Sequence, residues 1–424
     1  MRWGDWRARL RSVPGTAFIW NVGLLASGTI IGQAIMVLVL PVLTRLYEPE
    51  AFGALGIFMS ITVVASVAAC LRLDIAIPLP DRDEDALNLV VLGLGFATVL
   101  ALVAAVLLVL AGGQFIDLSG HREIADYLFL VPLGMWLAAA YSAVQFWSIR
   151  KKRFGQVATT QLTRAIGGSA TQVGLGIAGL ASFGLVVGYV IYTALGTVGL
   201  VYHFFRFDRG LLSFVSASSL RRVLHENRRF PYFSVPESLL NSAAINLPVV
   251  LIGALAGPKE AGYMLLAQRV TSIPVGLLGG SLSRVFLAEA AERRRNGELG
   301  SFTRVTMKRL AQVGAFPFFV VALVSPILFP YIFGPDWERA GVMVTWMVPF
   351  MFVQFAVSPV STSLHATGNQ LAAFLLQLCG FVIVFGAILL GAFVDPYDVF
   401  YWFAGASLVY YTLYALVVYR VSRT

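Results

Sequence analysis

The chain is poor in charge. Only 12% of its 424 residues are Asp, Glu, Lys or Arg, against about a quarter in an ordinary soluble domain. A large water-soluble domain is therefore excluded. Alternation of apolar and polar residues is also missing: stretches such as 87–111 and 374–393 run without a polar beat. That excludes a membrane β-barrel, whose strands alternate with period two over about ten residues. Cysteine and histidine are scarce, with 2 and 4 residues. Cys70 and Cys379 lie inside apolar runs and read as small buried side chains, not as a disulfide. The histidines, His121, His203, His225 and His365, are scattered, and no HExxH, GxSxG, P-loop or paired-cysteine motif occurs. No catalytic, cofactor or metal centre is expected.

What the chain has is apolar length. It is 58% hydrophobic, with a mean hydropathy of +0.79. The apolar gaps between charge clusters match helices crossing about 30 Å of hydrocarbon. An all-α integral membrane protein is expected, with about 12 transmembrane helices. They fall at roughly 15–43, 52–79, 87–112, 124–147, 157–179, 183–205, 231–256, 261–288, 305–333, 340–363, 370–392 and 397–419. Pro41, Pro132, Pro248, Pro274 and Pro349 interrupt spans without ending them, because neighbours or a wet cavity can satisfy a freed carbonyl.

Lys and Arg set the orientation. One side carries the basic lead-in 1–11, Arg82, the run Arg150–Arg153, the linker 206–230 and the loop 293–309. The other carries Arg45, Arg122, Lys259 and Arg339. The rich side is expected to be cytoplasmic, with both termini on it. The net charge of +9 then reflects topology rather than nucleic-acid binding.

The chain repeats itself. Pro49-Glu50-Ala51-Phe52-Gly53 is echoed by Pro258-Lys259-Glu260-Ala261-Gly262, 209 residues later. Arg122 precedes Pro132, and Arg339 precedes Pro349, each by ten residues. Gly155-Gln156 is answered by Gly368-Asn369-Gln370. Six spans per half makes this a parallel repeat about an axis along the membrane normal. The expected parts are a six-helix lobe at 1–205, a basic linker at 206–230 and a second six-helix lobe at 231–424. Transporters of this plan hold substrate in a central cavity between the lobes and work by alternating access.

Ionisable groups inside spans are costly and each is a functional candidate. Arg72 and Asp74 lie near the cytoplasmic end of the second span, where a local ion pair also explains them. Arg164 lies two turns into the fifth span, where snorkelling is the plain alternative. Arg284 sits one turn before Glu289, as in an interfacial pair. Arg269 lies about eight residues in from the outer face and is read as lining a wet cavity. Glu237, beside Pro236, is read either as a proton- or sodium-coupling carboxylate or as a salt-bridge partner. The excess of arginine favours an anion, and phosphate suits several guanidinium donors at once. Gln33, Asn241, Asn246 and Gln268 are candidate polar lining, with helix-to-helix hydrogen bonding as the alternative. Gly276 to Gly280 reads as close helix packing.

Four stretches carry a resemblance: PVLTRLYEPEAFGALGIF at 41–58, LRLDIAIPLPDRDEDALNL at 71–89, residues 230–270 and IPVGLLGGSLSRVFLAEAAERRRNG at 273–297. With the span count, they make the chain similar to the oligosaccharide (O-antigen, Wzx-type) flippases of the multidrug/oligosaccharidyl-lipid/polysaccharide exporter superfamily. Related members often have an aromatic where Leu73 stands, Glu where Asp74 stands and a neutral residue where Arg284 stands. The resemblance implies an undecaprenyl-diphosphate-linked oligosaccharide moved outward for O-antigen, capsule or exopolysaccharide assembly. It implies basic cavity residues on the diphosphate (Arg269, Arg164, Arg72, Arg284), with Glu237 and Asp74 as coupling or ion-pair carboxylates. H+ or Na+ is the candidate coupling ion, and polymerase and chain-length proteins are candidate partners. Three other readings stand beside it. A drug/cation antiporter of the same superfamily expects an acidic cavity, a glycan polymerase or ligase expects a sizeable external loop, and a lipid II flippase expects two further helices.

Overall fold

The computed structural model describes residues 16–119, 127–272, 286, 289, 293, 296–361 and 370–421. Among them every regular element is helical. Helices α1 (Thr16–Leu46), α2 (Pro49–Ala69), α3 (Asp83–Ser119), α4 (Val131–Arg150), α5 (Phe154–Ile177) and α6 (Ala181–Phe207) come first. The linker holds a 3-10 turn at Arg209–Phe214 and the short helix α7 (Ala217–Glu226). Six further helices follow: α8 (Val235–Ala256), α9 (258–272), α10 (Leu299–Phe333), α11 (Glu338–Val357), α12 (Gln370–Val394) and α13 (Val399–Val421). A backbone in hydrocarbon must satisfy its own polar groups, and a continuous apolar run can do that only as a helix.

Among the described residues, nine helices are long and apolar enough to cross a membrane. The spans expected at 124–147 and 157–179 are α4 and α5, which are less apolar. In α5 the cause is plain: Thr159, Thr160, Gln161, Thr163 and Arg164 follow one another within a turn and a half. The span expected at 261–288 is described only as far as 272. Pro132 does not interrupt a helix. It sits in the first turn of α4, where its missing N–H would have had no partner anyway. Pro274 lies outside the described residues.

Contacts divide the chain into two compact units. One takes in the first helix up to Val39, Thr62–Phe115 and Ala125–Ser238; the other takes in Leu40–Ile61 and runs from Leu239 onward. The linker thus packs with the first unit, and residues 40–61 of α1 and α2 pack with the second. The core of the first unit is built from Leu73, Ile77, Leu87, Leu89 and Trp147, all essentially inaccessible, with Val223 of α7 joined to it. In the second unit the largest buried side chains are Phe52, Phe58, Trp337 and Phe400. Apolar side chains of α3 and α10 such as Leu102, Val109, Phe316 and Ile327 are exposed, as helices solvated by lipid require.

Charged loops pair with one another. Arg150 Nε donates to Asp83 Oδ1 at 2.9 Å, and its other nitrogens reach the carbonyls of Ile77, Pro78, Pro80 and Asp81. Lys151 pairs with Asp83, and Arg153 with Asp208. The loops holding Arg82, Arg150–Arg153 and the start of the linker therefore share one end of the first unit. Around Arg339, the guanidinium meets Glu260 at 3.3 Å and the Tyr401 hydroxyl at 2.7 Å. Lys259 lies 3.7 Å from Glu50.

Candidate functional site

In the first unit the candidate site starts at a strained turn. After α2 ends at Ala69, Leu71 and Arg72 take φ values of 49° and 55°. Left-handed backbone costs an L-residue about 1–2 kcal/mol, and such outliers gather at functional positions. The turn is held by the Leu71 N–H on Ala68 O, the Leu73 N–H on Cys70 O, and the Cys70 thiol on Ala139 O at 3.4 Å. It carries Asp74 inward, where 4% of the residue remains exposed. Ser142 Oγ of α4 donates to Asp74 Oδ2 at 2.6 Å, and Arg72 Nη1 stands 3.8 Å from the same oxygen. Asp74 Oδ1 and Arg72 Nε are buried without a hydrogen-bond partner among the described residues.

Arg164 lies across the same turn of α4. Its guanidinium carbon stands 4.2 Å from the ring centroid of Tyr141 and 3.9 Å from that of Tyr192 on α6. Both rings lie within cation–π range of the guanidinium. Gly196 of α6 leaves the room: a Cβ there would come within 2.9 Å of the Tyr141 ring and 3.4 Å of Arg164 Cδ. Among the described ion pairs none involves Arg164, and its Nε is buried without a partner. A guanidinium presents several N–H donors in a fixed fork, which multi-oxygen anions such as phosphate can meet. Sequence reasoning found Arg164 but not its cage, because Tyr141, Tyr192 and Gly196 are spread over two other helices. The structure thus joins Arg72, Asp74 and Arg164 through α4.

The remaining candidates are dispersed. Gln33 of α1 is exposed. In the second unit, Arg269 on α9 is half-buried and directs Nη2 to the sulfur of Met59 at 2.9 Å. Gln268 beside it is also half-buried. Asn241 is exposed and accepts a hydrogen bond from Gln377 of α12 at 2.6 Å. Asn246 spends its amide on Ser242 O of its own helix at 2.8 Å. Glu237 is exposed, on the outer face of the first turn of α8. Arg284 lies outside the described residues.

The repeated motif meets itself in the second unit. A Cβ on Gly53 would lie 1.9 Å from Pro258 O, and a Cβ on Gly262 would lie 1.8 Å from Pro49 O. Each copy's glycine is therefore pressed against the other copy's proline carbonyl. The contact is self-complementary, as expected when two repeats relate by a two-fold axis. No side chain fits at either position, so α2 and α9 cross backbone to backbone. Around the crossing, Trp337 Nε1 donates to Thr44 O at 3.1 Å, and its ring meets Phe52 edge-on at 4.8 Å and Tyr263 at 5.9 Å. The sequence displayed the repeat, but nothing in it marked Trp337 as the residue that covers the crossing.

Comparisons with known proteins agree with this architecture. A family model described as "Polysaccharide biosynthesis protein" matches residues 42–341. The chain is 25% identical over 394 residues to the succinoglycan biosynthesis transport protein ExoT of Rhizobium meliloti (strain 1021), covering 91% of this chain and 76% of the relative. Among solved structures, an inward-facing multidrug resistance MATE family transporter of the MOP superfamily superimposes with a TM-score of 0.70. Its identity is 15%, over 93% of this chain and 94% of that one. The lipid II flippase MurJ, in an inward closed conformation, gives a TM-score of 0.67 at 13% identity, over 93% and 87%. At these identities the structural matches show the fold alone.

Proposed function

Because the chain belongs to the polysaccharide biosynthesis protein family, a premise that makes it a multi-pass membrane transporter, we propose that it flips a lipid-linked oligosaccharide. The substrate class is an undecaprenyl-diphosphate glycan, carried from the cytoplasmic to the outer leaflet of a bacterial inner membrane. The resemblance to a succinoglycan transport protein favours exopolysaccharide assembly over O-antigen or capsule.

The observation that carries the reading is Arg164. A cation beside two tyrosine rings, with no described ion pair to a carboxylate, is suited to receive a diphosphate. Arg72 and Arg269 add positive charge in their own units, and Arg284 is proposed alongside them from sequence. Asp74, bound by Ser142 on one oxygen only, is one of the two candidate coupling carboxylates. Glu237 is the other, with H+ or Na+ as the ion. Gln33, Asn241, Asn246 and Gln268 supply polar contacts suited to sugar hydroxyls. Alternating access between parallel repeats is the proposed mode of movement, and the glycine crossing of α2 and α9 is proposed as a contact that opens and closes with it.

The test is translocation in liposomes holding purified protein and a fluorescent undecaprenyl-diphosphate oligosaccharide, with label access followed from each face. Wild type is expected to flip the lipid, and Arg164→Ala to lose about tenfold or more, the equivalent of one charge-assisted hydrogen bond. Folded protein that flips none of several glycans would overturn the reading and favour the cation antiporter.

A further inference from the structure

The linker between α6 and α8 is not slack. Ser216 caps α7, its Oγ accepting from the Ser219 N–H at 3.2 Å. Val223 of α7 is buried to 1% exposure in the first unit's core, with Leu211, Val215, Leu224 and Phe230 against it. Arg222 reaches Asp85 at the start of α3 at 2.5 Å. One face of the linker is therefore fixed inward.

Its other face is cationic and unneutralised. Arg209, Arg221, Arg228 and Arg229 are exposed, and among the described ion pairs none involves them. The segment's two acids are committed elsewhere. Asp208 is buried, taking Arg153 and the Trp147 Nε1–H at 3.0 Å, and Glu226 faces Arg222 at 3.5 Å. Large apolar side chains flank the arginines: Phe214 is 51% exposed, Tyr232 72% and Phe233 73%. The segment joins the ends of two membrane helices, so it lies at headgroup depth. Exposed arginine interleaved with exposed aromatic rings is the side-chain chemistry of that layer.

We infer that the linker is a binding surface for anionic phospholipid headgroups, with Arg209, Arg221, Arg228 and Arg229 on the phosphodiesters and Phe214, Tyr232 and Phe233 set among the adjoining acyl chains. The occupant is a lipid because a polybasic face beside a membrane helix meets anionic headgroups at high local density, and because a soluble anion would leave the aromatic rings bare. Docked so, the leaflet bears on the same linker that Arg222 and Val223 tie to the first unit.

The experiment uses the full-length protein in mixed micelles of phosphatidylglycerol and phosphatidylcholine, with retained lipid counted by native mass spectrometry. Wild type is expected to retain phosphatidylglycerol over phosphatidylcholine by about tenfold or more, the scale of several juxtamembrane charges. Replacing the four arginines by Gln is expected to abolish the preference, and replacing them by Lys to keep most of it. Arg304→Gln with Arg309→Gln, exposed cations on α10, is expected to leave it intact. Four outcomes overturn the inference: no preference in wild type, a preference that survives the fourfold Gln variant, equal loss in the α10 control, or displacement of the lipid by millimolar inorganic phosphate. The Lys variant separates loss of charge from loss of fold.

Discussion

At Arg164 the physics is that of a planar cation packed beside two aromatic rings. Lysine at this position keeps the charge but has no plane to stack and no fork to present. Arg164→Lys is therefore expected to flip faster than Arg164→Ala and slower than wild type in the same liposome assay. Equal rates for wild type and Lys would mean that only charge matters there. Asp208 shows the opposite use of a buried ion. It is 5% exposed, accepts from the Trp147 indole at 3.0 Å and from Arg153 Nη2 at 2.9 Å, and is remote in sequence from both. Removing one partner of a buried, hydrogen-bonded pair typically costs about 3–5 kcal/mol. Asp208→Asn is expected to fall near the lower end, since an amide still accepts one bond. The midpoint of unfolding in denaturant measures it.

At the scale of elements, the crossing of α2 and α9 rests on two glycines. Gly53→Val or Gly262→Val would place carbon atoms inside a carbonyl of the opposing helix, so the helices must part. Glu50 and Lys259, 3.7 Å apart, report this directly. A zero-length carbodiimide bond between them is expected in wild type. Its yield should fall by about tenfold in either variant, which corresponds to a shift of about 1.4 kcal/mol between closed and parted states. An unchanged yield would show that the crossing tolerates a side chain and is no closure. The sequence exposed the repeat that makes this contact, because Pro, Glu and Gly recur in order. It did not expose that the copies touch, since an offset of 209 residues says nothing about distance. Likewise the run Arg150–Arg153 was legible as a topology signal. Its second role, clamping Asp83, Asp208 and four loop carbonyls, needed the packed loops.

For the whole molecule, the charge of the proposed substrate sets the energetics. A diphosphate bears roughly two negative charges, and each releases about 2.3 kcal/mol per 100 mV on moving outward, down an inside-negative potential. In liposomes with one orientation of the protein, imposing that potential is expected to raise outward flipping, and collapsing it with an ionophore to remove the gain. A co-moving cation would cancel part of the effect, so the residual dependence, measured with and without a pH or Na+ gradient, counts the ions that travel with the glycan.

The all-helical membrane class and the repeated motif were legible in the sequence alone. Each depends on local composition and period, and lipid as solvent leaves a long apolar run no choice but helix. The polar content of α5 was visible too, but only as an oddity. The tertiary structure decided which polar groups act together. Tyr141 and Tyr192 close on Arg164 because α4, α5 and α6 pack side by side. Ser142 finds Asp74 across a left-handed turn, and Trp337 finds Thr44 from the other half of the chain. Such contacts join residues tens to hundreds of positions apart, and their partners are fixed by which helix faces meet, a property that hydropathy within a membrane helix does not encode.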